Sequence, residues 1–315
     1  MKIAWIGVGR MGYPMVVRLL KSGQAITVWN RTPQKAAPLA ELGAAIAKGW
    51  EDLADADLIF TMLATGKEIE EVYFGPGGFL ADGSRPPPKI VIVCSTIGED
   101  DSRRLRQRLG ERGVEYLAAP VSGNPKCVAA GKLSSVVSGP KGAFEKARPL
   151  LEAIAARGVS YVGEGELALV CKIAHNVFLS AVIENLIEVT LLAQKAGASR
   201  HAFLHFMNNS VLGSIFTQYK SPALVNLDFT ATFTPALLRK DVDLGLEMAR
   251  KAGVPMPVTA AIREVLQAHF GVASRRPDAA VYLEKDFATL IETQALMAGM
   301  TLASENVNVP SGLEG

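Results

Sequence analysis

The sequence has few cysteines, almost no charge excess of either sign and no long apolar run at its start. Its 315 residues include three cysteines, Cys94, Cys127 and Cys171, which are far apart and show no CxxC spacing. An odd number of widely spaced cysteines favours free thiols in a reducing compartment over a disulfide framework or a zinc site. We therefore expect a cytoplasmic protein.

Charge is also nearly balanced: the chain has 33 Lys and Arg residues and 31 Asp and Glu residues, which gives a net charge of +2. Proteins that bind nucleic acid or membrane surfaces usually carry a lopsided charge, so we expect neither partner.

Arg10 closes the first apolar run too early for a signal peptide. The longest apolar stretch of the second half, residues 173–183, contains His175 and Asn176. Since a membrane span needs about 20 mostly apolar residues, none is expected.

The residues that are present suit a folded chain with two domains. Hydrophobic residues make up 49% and charged residues 20%, which is ordinary for soluble proteins and excludes a wholly disordered chain. In the first half, short β-rich runs alternate with helical patterns. The predicted strands are 2–6, 25–29, 57–62, 89–94, 114–118 and 133–138, and the predicted helices between them include 11–21, 33–42 and 100–112. This alternation predicts a doubly wound parallel sheet.

The pattern changes after about residue 165. Residues 166–196 have almost no helix breaker and predict one long helix that ends at Gly197. The rest of the chain has helical patterns and no alternating β-branched run. We expect a dinucleotide-binding α/β domain over residues 1–163 and an all-α C-terminal domain over residues 164–315, joined by the long helix. The polar tail from Ser304 to Gly315 is expected to fray.

The first predicted turn is rich in glycine. Gly7-Val8-Gly9-Arg10-Met11-Gly12 is a GxGxxG run that follows a predicted strand and opens a predicted helix. In this context the glycines permit a tight turn, the approach of a pyrophosphate and close helix packing, while the helix N-terminus attracts phosphate. The run therefore predicts a Rossmann-type dinucleotide site at this turn.

The end of the second predicted strand indicates which dinucleotide binds. NAD-specific folds place Asp or Glu there for the ribose 2′-hydroxyl, whereas a nearby arginine suits a 2′-phosphate. This chain has Asn30-Arg31-Thr32, with Lys35 one turn later and no carboxylate before Glu41. The pattern favours NADP(H) and leaves NAD(H) open.

The start of the long helix carries three polar residues. Lys172, His175 and Asn176 stand at i, i+3 and i+4, a spacing that places them on one helical face. A lysine in an apolar stretch is costly to bury as an ammonium, and desolvation makes it a usable proton donor near neutral pH. From the spacing alone, a lysine that snorkels at the helix edge is an equally good interpretation.

Six short motifs occur in order along the chain. They are Gly7-Val8-Gly9-Arg10-Met11-Gly12-Tyr13-Pro14-Met15, Asn30-Arg31-Thr32, Val93-Cys94-Ser95-Thr96, Ala119-Pro120-Val121-Ser122-Gly123, Gly163-Glu164-Gly165 followed by Lys172 and Asn176, and Phe233 with Lys240-Asp241. Together they resemble the β-hydroxyacid dehydrogenase family, which includes 3-hydroxyisobutyrate dehydrogenases and glyoxylate and succinic semialdehyde reductases. The third motif matches the family only in Ser95 and Thr96.

The resemblance implies an NADP(H)-dependent enzyme that interconverts a small carboxylate-bearing aldehyde or keto compound and its hydroxy acid. Lys172 would be the general acid, and Asn176 would help to hold the substrate. The substrate carboxylate would meet the loop that contains Ser122, Gly123 and Asn124. The cofactor would lie along the glycine loop, the Asn30-Arg31-Thr32 segment, Leu63, Ala64, Thr96 and Lys240. By analogy with the family, the site lies in a crevice between the domains and the protein is a homodimer or homotetramer.

Three positions depart from the common family pattern. Ala118 stands where Asp is frequent, Asn124 replaces a second glycine, and His175 replaces a common Asn. Lys126, just past the loop, is either a solvated lysine or a contact for a second carboxylate-like group on the substrate.

Other functions stay open at this point. The Lys172-x-x-His175-Asn176 pattern is closer to that of 6-phosphogluconate dehydrogenases, an imine reductase would usually lack the lysine, and an idle dinucleotide-binding module would have lost it. His201 and His205 have the spacing of a metal-binding pair, but no third ligand is evident and we expect no metal.

Overall fold

A computed structural model describes residues 1–81 and 83–313. The chain forms two compact units, Met1–Lys172 and Ile173–Gly315. The first unit contains the described strands, which are β1 (Ile3–Ile6), β2 (Ile26–Trp29), β3 (Ala45–Ile46), β4 (Leu58–Thr61), β5 (Ile90–Val93), β6 (Glu115–Ala118), β7 (Val121–Ser122), β8 (Ser134–Val137) and β9 (Gly158–Tyr161).

Six of these strands form one parallel sheet in the order β3-β2-β1-β4-β5-β6. Three of its interior strands, β1, β4 and β5, are buried along their whole length and are apolar except for Thr61, as expected for a parallel sheet that is covered by helices on both faces. The helices of this unit are α1 (Gly12–Lys21), α2 (Pro33–Ala36), α3 (Gly66–Phe74), α4 (Glu99–Gly110), α5 (Pro125–Ala129) and α6 (Lys141–Ile154), with 3₁₀ turns at Ala37–Leu42 and Trp50–Leu53. The strand order is that of a Rossmann fold, and it confirms the predicted doubly wound architecture.

A second, smaller sheet has the order β7-β8-β9, with β7 antiparallel to β8. The predicted strand 133–138 therefore belongs to this sheet, which a bridge between Ala118 and Ser138 links to β6. Three strands, β3, β7 and β9, were not predicted from the sequence. The first two have two residues each, and β9 is only half-buried, so none of them shows a long apolar pattern.

The predicted helix 33–42 is divided into two segments. The α-helix ends at Ala36, and the chain continues as a 3₁₀ helix to Leu42. Pro38 lies at this change, and a proline lacks the N–H group that would continue the α-helical ladder. Gly43 ends the segment with a φ of 96°, as the glycine position predicts.

The second unit is helical over its described residues. Its helices are α7 (Leu167–Lys195, which begins in the first unit), α8 (Arg200–Asn209), α9 (Ile215–Asn226), α10 (Pro235–Ala252), α11 (Pro257–Ala273), α12 (Ala279–Leu283) and α13 (Leu290–Met297), with a 3₁₀ turn at Phe287–Thr289. An all-helical region after the long helix confirms the predicted fold class.

Helix α7 is long and apolar enough to cross a membrane, with a mean hydropathy of 1.6 in its most apolar window, half of which is buried. It also buries polar side chains, including Lys172, Asn176 and Glu184, while Ile183 and Ile187 pack among the other helices of the second unit. Buried polar groups beside helix-packing residues are typical of a core helix in a globular domain.

The expectation of a frayed tail is wrong for residues 305–307, and residues 314–315 lie outside the described part of the chain. The buried Arg200 guanidinium donates to the carbonyl of Ala303, and the Glu305 carboxylate accepts from the backbone N–H groups of Arg200 and His201. Further along, Asn226 donates to the carbonyl of Val307 at 2.7 Å. These bonds come from residues far away in sequence, so the composition of the tail could not predict them.

Candidate cofactor and catalytic site

The register of the parallel sheet brings the predicted cofactor residues to one edge. Ile6 pairs with both Trp29 and Thr61, and Thr61 pairs with Val93. The segments that follow these four residues therefore leave the sheet side by side at its carboxyl edge. They are the glycine loop, Asn30-Arg31-Thr32, Leu63-Ala64 and Thr96. Strand order reverses at β1 and β4, which is where open α/β sheets bind their ligands.

The three glycines of the loop have different surroundings. Gly7 has a φ of +94°, and a Cβ atom there would lie 2.3 Å from the carbonyl oxygen of Met62. A Cβ on Gly12 would lie 2.1 Å from the carbonyl oxygen of Gly7. Gly9 is exposed and has no atom within 4 Å of such a Cβ. The first and third glycines thus allow close packing, whereas the second leaves open space for a ligand to approach the backbone.

The N-terminus of α1 fits an anion. None of the described side chains caps it, and its first turn contains no acidic residue. The indole N–H of Trp5 donates to the carbonyl of Gly7 at 2.8 Å, which turns that oxygen toward the core. A helix N-terminus that lacks a capping side chain presents N–H donors and a positive dipole end to phosphate. The residues of the glycine loop therefore fit the pyrophosphate of a dinucleotide.

The segment after β2 contacts the glycine loop through Asn30. The Oδ1 atom of Asn30 accepts from the backbone N–H of Val8 at 3.0 Å, and its Nδ2 atom donates to the carbonyl of Thr32 at 2.8 Å. Arg31 and Lys35 are exposed. Residues 30–40 thus carry two cations and no carboxylate where a dinucleotide fold binds the adenosine ribose.

The segment after β4 is held by Ser95, a residue that sequence reasoning had placed in a motif without a role. Its hydroxyl donates to the carbonyl of Leu63 at 2.7 Å and accepts from the N–H of the same residue at 2.9 Å. Ser95 therefore fixes the Leu63-Ala64 segment to the end of β5, beside Thr96.

The predicted substrate loop follows β7. Gly123 has a φ of +134°, and a Cβ there would lie 2.9 Å from the Cβ of Cys127. Asn124 is 6% exposed and caps α5, because its Oδ1 accepts from the N–H of Cys127 at 3.0 Å. Its buried Nδ2 has no hydrogen-bond partner among the residues that the structure describes. Asn124 thus has a local capping role, and its contact with substrate stays a prediction, as do those of Ser122 and Gly123.

The start of α7 buries two of its three polar residues. Lys172 is 7% exposed and Asn176 is 5% exposed, one helical turn apart, whereas His175 is exposed. The Nδ1 atom of His175 lies 3.0 Å from the Oδ1 of Asn176. The lysine therefore does not extend along the surface like a solvated side chain, and its role as general acid stays a prediction.

Asn176 is held from α10. Its Nδ2 donates to the Oδ2 of Asp241 at 2.6 Å, and Asp241 is only 1% exposed. The Nζ atom of Lys240 lies 3.1 Å from the other carboxylate oxygen. Helices α7 and α10 approach closely enough for this contact because residue 245, one turn after Asp241, is a glycine. A Cβ atom there would lie 2.3 Å from the Cγ2 of Val177. We call Asn176, Lys240 and Asp241 the helix cluster.

Asp241 belongs to the last of the six motifs, but the sequence alone assigns no role to its side chain. The position of Lys240 beside the cofactor stays a prediction. Among the described residues, no group of three or more His, Cys, Asp and Glu side chains could hold a metal ion, and the rings of His201 and His205 are 6.2 Å apart.

Comparisons with known proteins show the family of the chain. Residues 2–163 match the family model described as the NAD binding domain of 6-phosphogluconate dehydrogenase, and residues 165–282 match that described as NAD-binding of NADP-dependent 3-hydroxyisobutyrate dehydrogenase.

Two relatives match most of the chain. A 3-hydroxyisobutyrate dehydrogenase of Pseudomonas aeruginosa is 30% identical over 85% of this chain and 91% of its own length. A 2-hydroxy-3-oxopropionate reductase of Escherichia coli is 29% identical over 96% of this chain and 100% of its own length. Among solved structures, Psf3 in complex with NADP+ and 2-OPP is similar with a TM-score of 0.80 and 25% identity, over 93% of this chain and 99% of that one.

Proposed function

The chain belongs to the β-hydroxyacid dehydrogenase family of nicotinamide-dependent oxidoreductases, and we propose that it is an NADP(H)-dependent member. In this proposal it interconverts a small carboxylate-bearing aldehyde or ketone and the corresponding hydroxy acid. The observation that carries the proposal is the buried pair of Lys172 and Asn176 on α7, since a buried amine beside a held amide suits proton transfer to a carbonyl oxygen.

The cofactor preference is argued from charge. The segment after β2 has the neutral Asn30 where NAD-binding folds carry a carboxylate, and the exposed Arg31 and Lys35 follow it. A dianionic 2′-phosphate is attracted by these cations, and Arg31 can bind it with two parallel N–H donors. A carboxylate here would repel the phosphate and would favour the 2′-hydroxyl of NAD(H).

A titration tests this preference. We expect the wild-type protein to bind NADPH more tightly than NADH, and Arg31→Ala to weaken NADPH binding about tenfold or more while NADH binding changes little. Arg112→Ala is the matched control, because Arg112 is also exposed but precedes β6 at the opposite edge of the sheet. Tighter binding of NADH by the wild type would contradict the preference.

The chemistry follows from Lys172. The glycine loop and the Asn30-Arg31-Thr32 segment would hold the reduced cofactor, which would supply the hydride for the carbonyl carbon of the substrate. Negative charge then develops on the carbonyl oxygen, and the Lys172 ammonium stabilises it and donates the proton that completes the alcohol. In the oxidation direction the same amine accepts the hydroxyl proton. Asn176, which Asp241 holds, binds a substrate oxygen beside Lys172.

Orientation of the substrate is assigned to Ser122, the last residue of β7, and to the loop that follows it. The hydroxyl of Ser122 and the N–H of Gly123 donate to the substrate carboxylate, and this anchor holds the carbonyl in a reactive geometry. The family members compared above act on small hydroxy or oxo acids by their names, which supports this substrate class.

A substrate panel separates this function from its alternatives. NADPH absorbance is followed with glyoxylate, succinic semialdehyde and a cyclic imine, and carbon dioxide release is followed with 6-phosphogluconate and NADP+. We expect turnover with one of the aldehydes. Turnover with the imine alone would assign an imine reductase, carbon dioxide release would assign a sugar-phosphate dehydrogenase, and NADPH binding without any turnover would favour an idle module.

A further inference from the structure

We propose that His175 is a positioning residue that fixes the plane of the Asn176 amide through a proton carried on its Nδ1 atom. The inference rests on the proposed function, in which Asn176 binds a substrate oxygen, and it adds a residue to which that function assigns no role. His175 directly precedes Asn176 on α7, and its side chain is exposed whereas Asn176 is buried.

The Asn176 amide is held at both of its ends. Its Nδ2 atom donates to the Oδ2 of Asp241 at 2.6 Å, and its Oδ1 atom lies 3.0 Å from the Nδ1 of His175. The χ2 torsion of an asparagine is broad, so a single hydrogen bond at one end would let the amide plane rotate. A second bond at the opposite end fixes the plane. Asp241 and His175 therefore give the amide one orientation toward a substrate.

The direction of these two bonds determines where the proton of His175 lies. A carboxylate oxygen accepts, so the amide atom that faces Asp241 is the donor Nδ2 and the atom that faces His175 is the acceptor Oδ1. A neutral imidazole ring carries a proton on only one of its two nitrogens. If that proton were on Nε2, two lone pairs would face each other across 3.0 Å. The contact thus assigns the proton of neutral His175 to Nδ1.

Two amide substitutions separate the two nitrogens of the ring. An asparagine side chain places its N–H group at the δ position, where the Nδ1 of histidine lies, and a glutamine side chain places its own at the ε position. His175→Asn can therefore keep the bond to Asn176, whereas His175→Gln removes it and keeps a polar group near the position of Nε2. His205→Gln is the matched control, because His205 is an exposed histidine on α8. Thermal unfolding shows that each variant is folded.

A nuclear magnetic resonance measurement tests the proton position without substrate. The chain has four histidines, and nitrogen-15 labelling of these rings reports which nitrogen carries the proton at about pH 8.5, where a solvated ring is neutral. His175→Asn identifies the signal of His175 by its loss. We expect the proton of His175 on Nδ1 and that of the exposed His205 mainly on Nε2, as in a solvated histidine.

The same measurement tests whether Asp241 acts on His175 through the amide between them. Asp241→Ala removes the acceptor that orients the amide, so the signal of His175 should shift toward the Nε2-protonated form. Asp243→Ala is the control, since Asp243 pairs with Arg263 at the surface of the same helix, and it should leave the signal unchanged.

Steady-state kinetics with the aldehyde identified by the substrate panel test the positioning role. We expect His175→Gln to lower kcat/KM about threefold to tenfold, the usual effect of one hydrogen bond, while His175→Asn stays within about twofold of the wild type. In an Asn176→Ala background, His175→Gln should cause little further loss, because the amide that it positions is absent.

Three results would overturn the proposal: a neutral His175 protonated on Nε2, an unchanged kcat/KM in His175→Gln, or an undiminished loss in the Asn176→Ala background. Activity that His175→Gln keeps and His175→Asn loses would also overturn it and would assign a direct contact between Nε2 and the substrate. Absence of turnover with every aldehyde would instead overturn the proposed function, while the proton position would still decide whether His175 donates to Asn176.

Discussion

The glycine loop and the helix cluster hold their functional groups in different ways. At the carboxyl edge of the sheet, the glycine loop is shaped by its own backbone, with close contacts at Gly7 and Gly12 and open space at Gly9. In the helix cluster, an amide on α7 is fixed by a carboxylate on α10 that lies 65 residues away. The glycine loop is therefore determined by residues that are adjacent in sequence, whereas the helix cluster depends on how α7 and α10 pack.

The largest effect is expected at Lys172, which lies one turn before the helix cluster on α7. Lys172→Ala should lower kcat about 100-fold to 10,000-fold, because positioned general acid catalysis contributes that much, while NADPH affinity stays close to that of the wild type. Steady-state kinetics and an NADPH titration measure the two quantities. Lys195→Ala is the control on the same helix, since Lys195 is exposed at its end. Wild-type turnover in Lys172→Ala would remove the acid role from this residue.

The second-largest effect is expected from alanine substitutions in the glycine loop, which test this region alone. Gly7→Ala places a Cβ against the carbonyl of Met62 at a positive φ and should cost about 3 kcal/mol or more of the free energy of unfolding. Gly9→Ala meets nothing within 4 Å, so its melting temperature should match the wild type while NADPH binding weakens about tenfold or more. Thermal unfolding measures the stability of the two variants, and titration with NADPH measures their cofactor affinity. If Gly9→Ala destabilised the fold as much as Gly7→Ala, the division of roles between the two glycines would be wrong.

A third effect tests the helix cluster. Asp241→Ala leaves the buried Nδ2 of Asn176 without its acceptor, and kcat/KM should fall about tenfold or more because Asn176 loses its orientation. Asp241→Asn still offers an oxygen to Asn176 and should recover part of the loss. The control is Asp243→Ala, since Asp243 lies on the same helix and pairs with Arg263 at the surface. Equal activity in Asp241→Ala and Asp243→Ala would show that the contact does not position Asn176.

The smallest effect on the reaction is expected at Glu184, which lies on α7 after Asn176. This residue tests the packing of the helix that carries the helix cluster. Burial, together with the negative charge of Glu188, raises the pKa of Glu184 to about 8, although Gln294 donates to its carboxylate. The folded protein therefore keeps this proton at pH values where the unfolded chain, with a pKa near 4.5, has lost it. Stability contributed by the neutral form is lost as pH rises from about 4.5 to about 8.

Glu184→Gln keeps the shape and removes the titration. The melting temperature of this variant should exceed that of the wild type, and the excess should be larger at about pH 9 than at about pH 5. The change in this excess should correspond to about 1 kcal/mol of unfolding free energy, while kcat changes little. Glu188→Gln, an exposed change on the next turn, should have a smaller effect. A stability difference that does not vary with pH would show that Glu184 is not buried as a neutral acid.

The contrast between the two regions also explains what the sequence could predict. The glycine loop, the strands β1, β2, β4, β5 and β6, and the long helix α7 follow from local patterns, because glycine spacing and apolar periodicity are properties of neighbouring residues. The break at Pro38 was missed although its cause is local. The two-residue strands β3 and β7 were missed because so short a pattern carries no periodicity.

The remaining features depend on contacts between distant parts of the chain. Asp241 had no assigned role because nothing in its neighbourhood shows that its carboxylate accepts from Asn176. In the same way, Ser95 fastens a segment that begins 32 residues earlier, and Glu305 is held by the backbone of α8. Each of these contacts becomes visible only when the elements that carry the two partners are packed.

The most direct test of the proposed mechanism is a crystal structure with NADP+ and either glyoxylate or succinic semialdehyde, whichever is reduced faster. We expect the Nζ atom of Lys172 within about 3 Å of the carbonyl oxygen of the substrate, on the side from which a proton would be delivered. A complex in which another side chain donates to that oxygen, with the Lys172 amine turned away from it, would contradict the proposed role of Lys172.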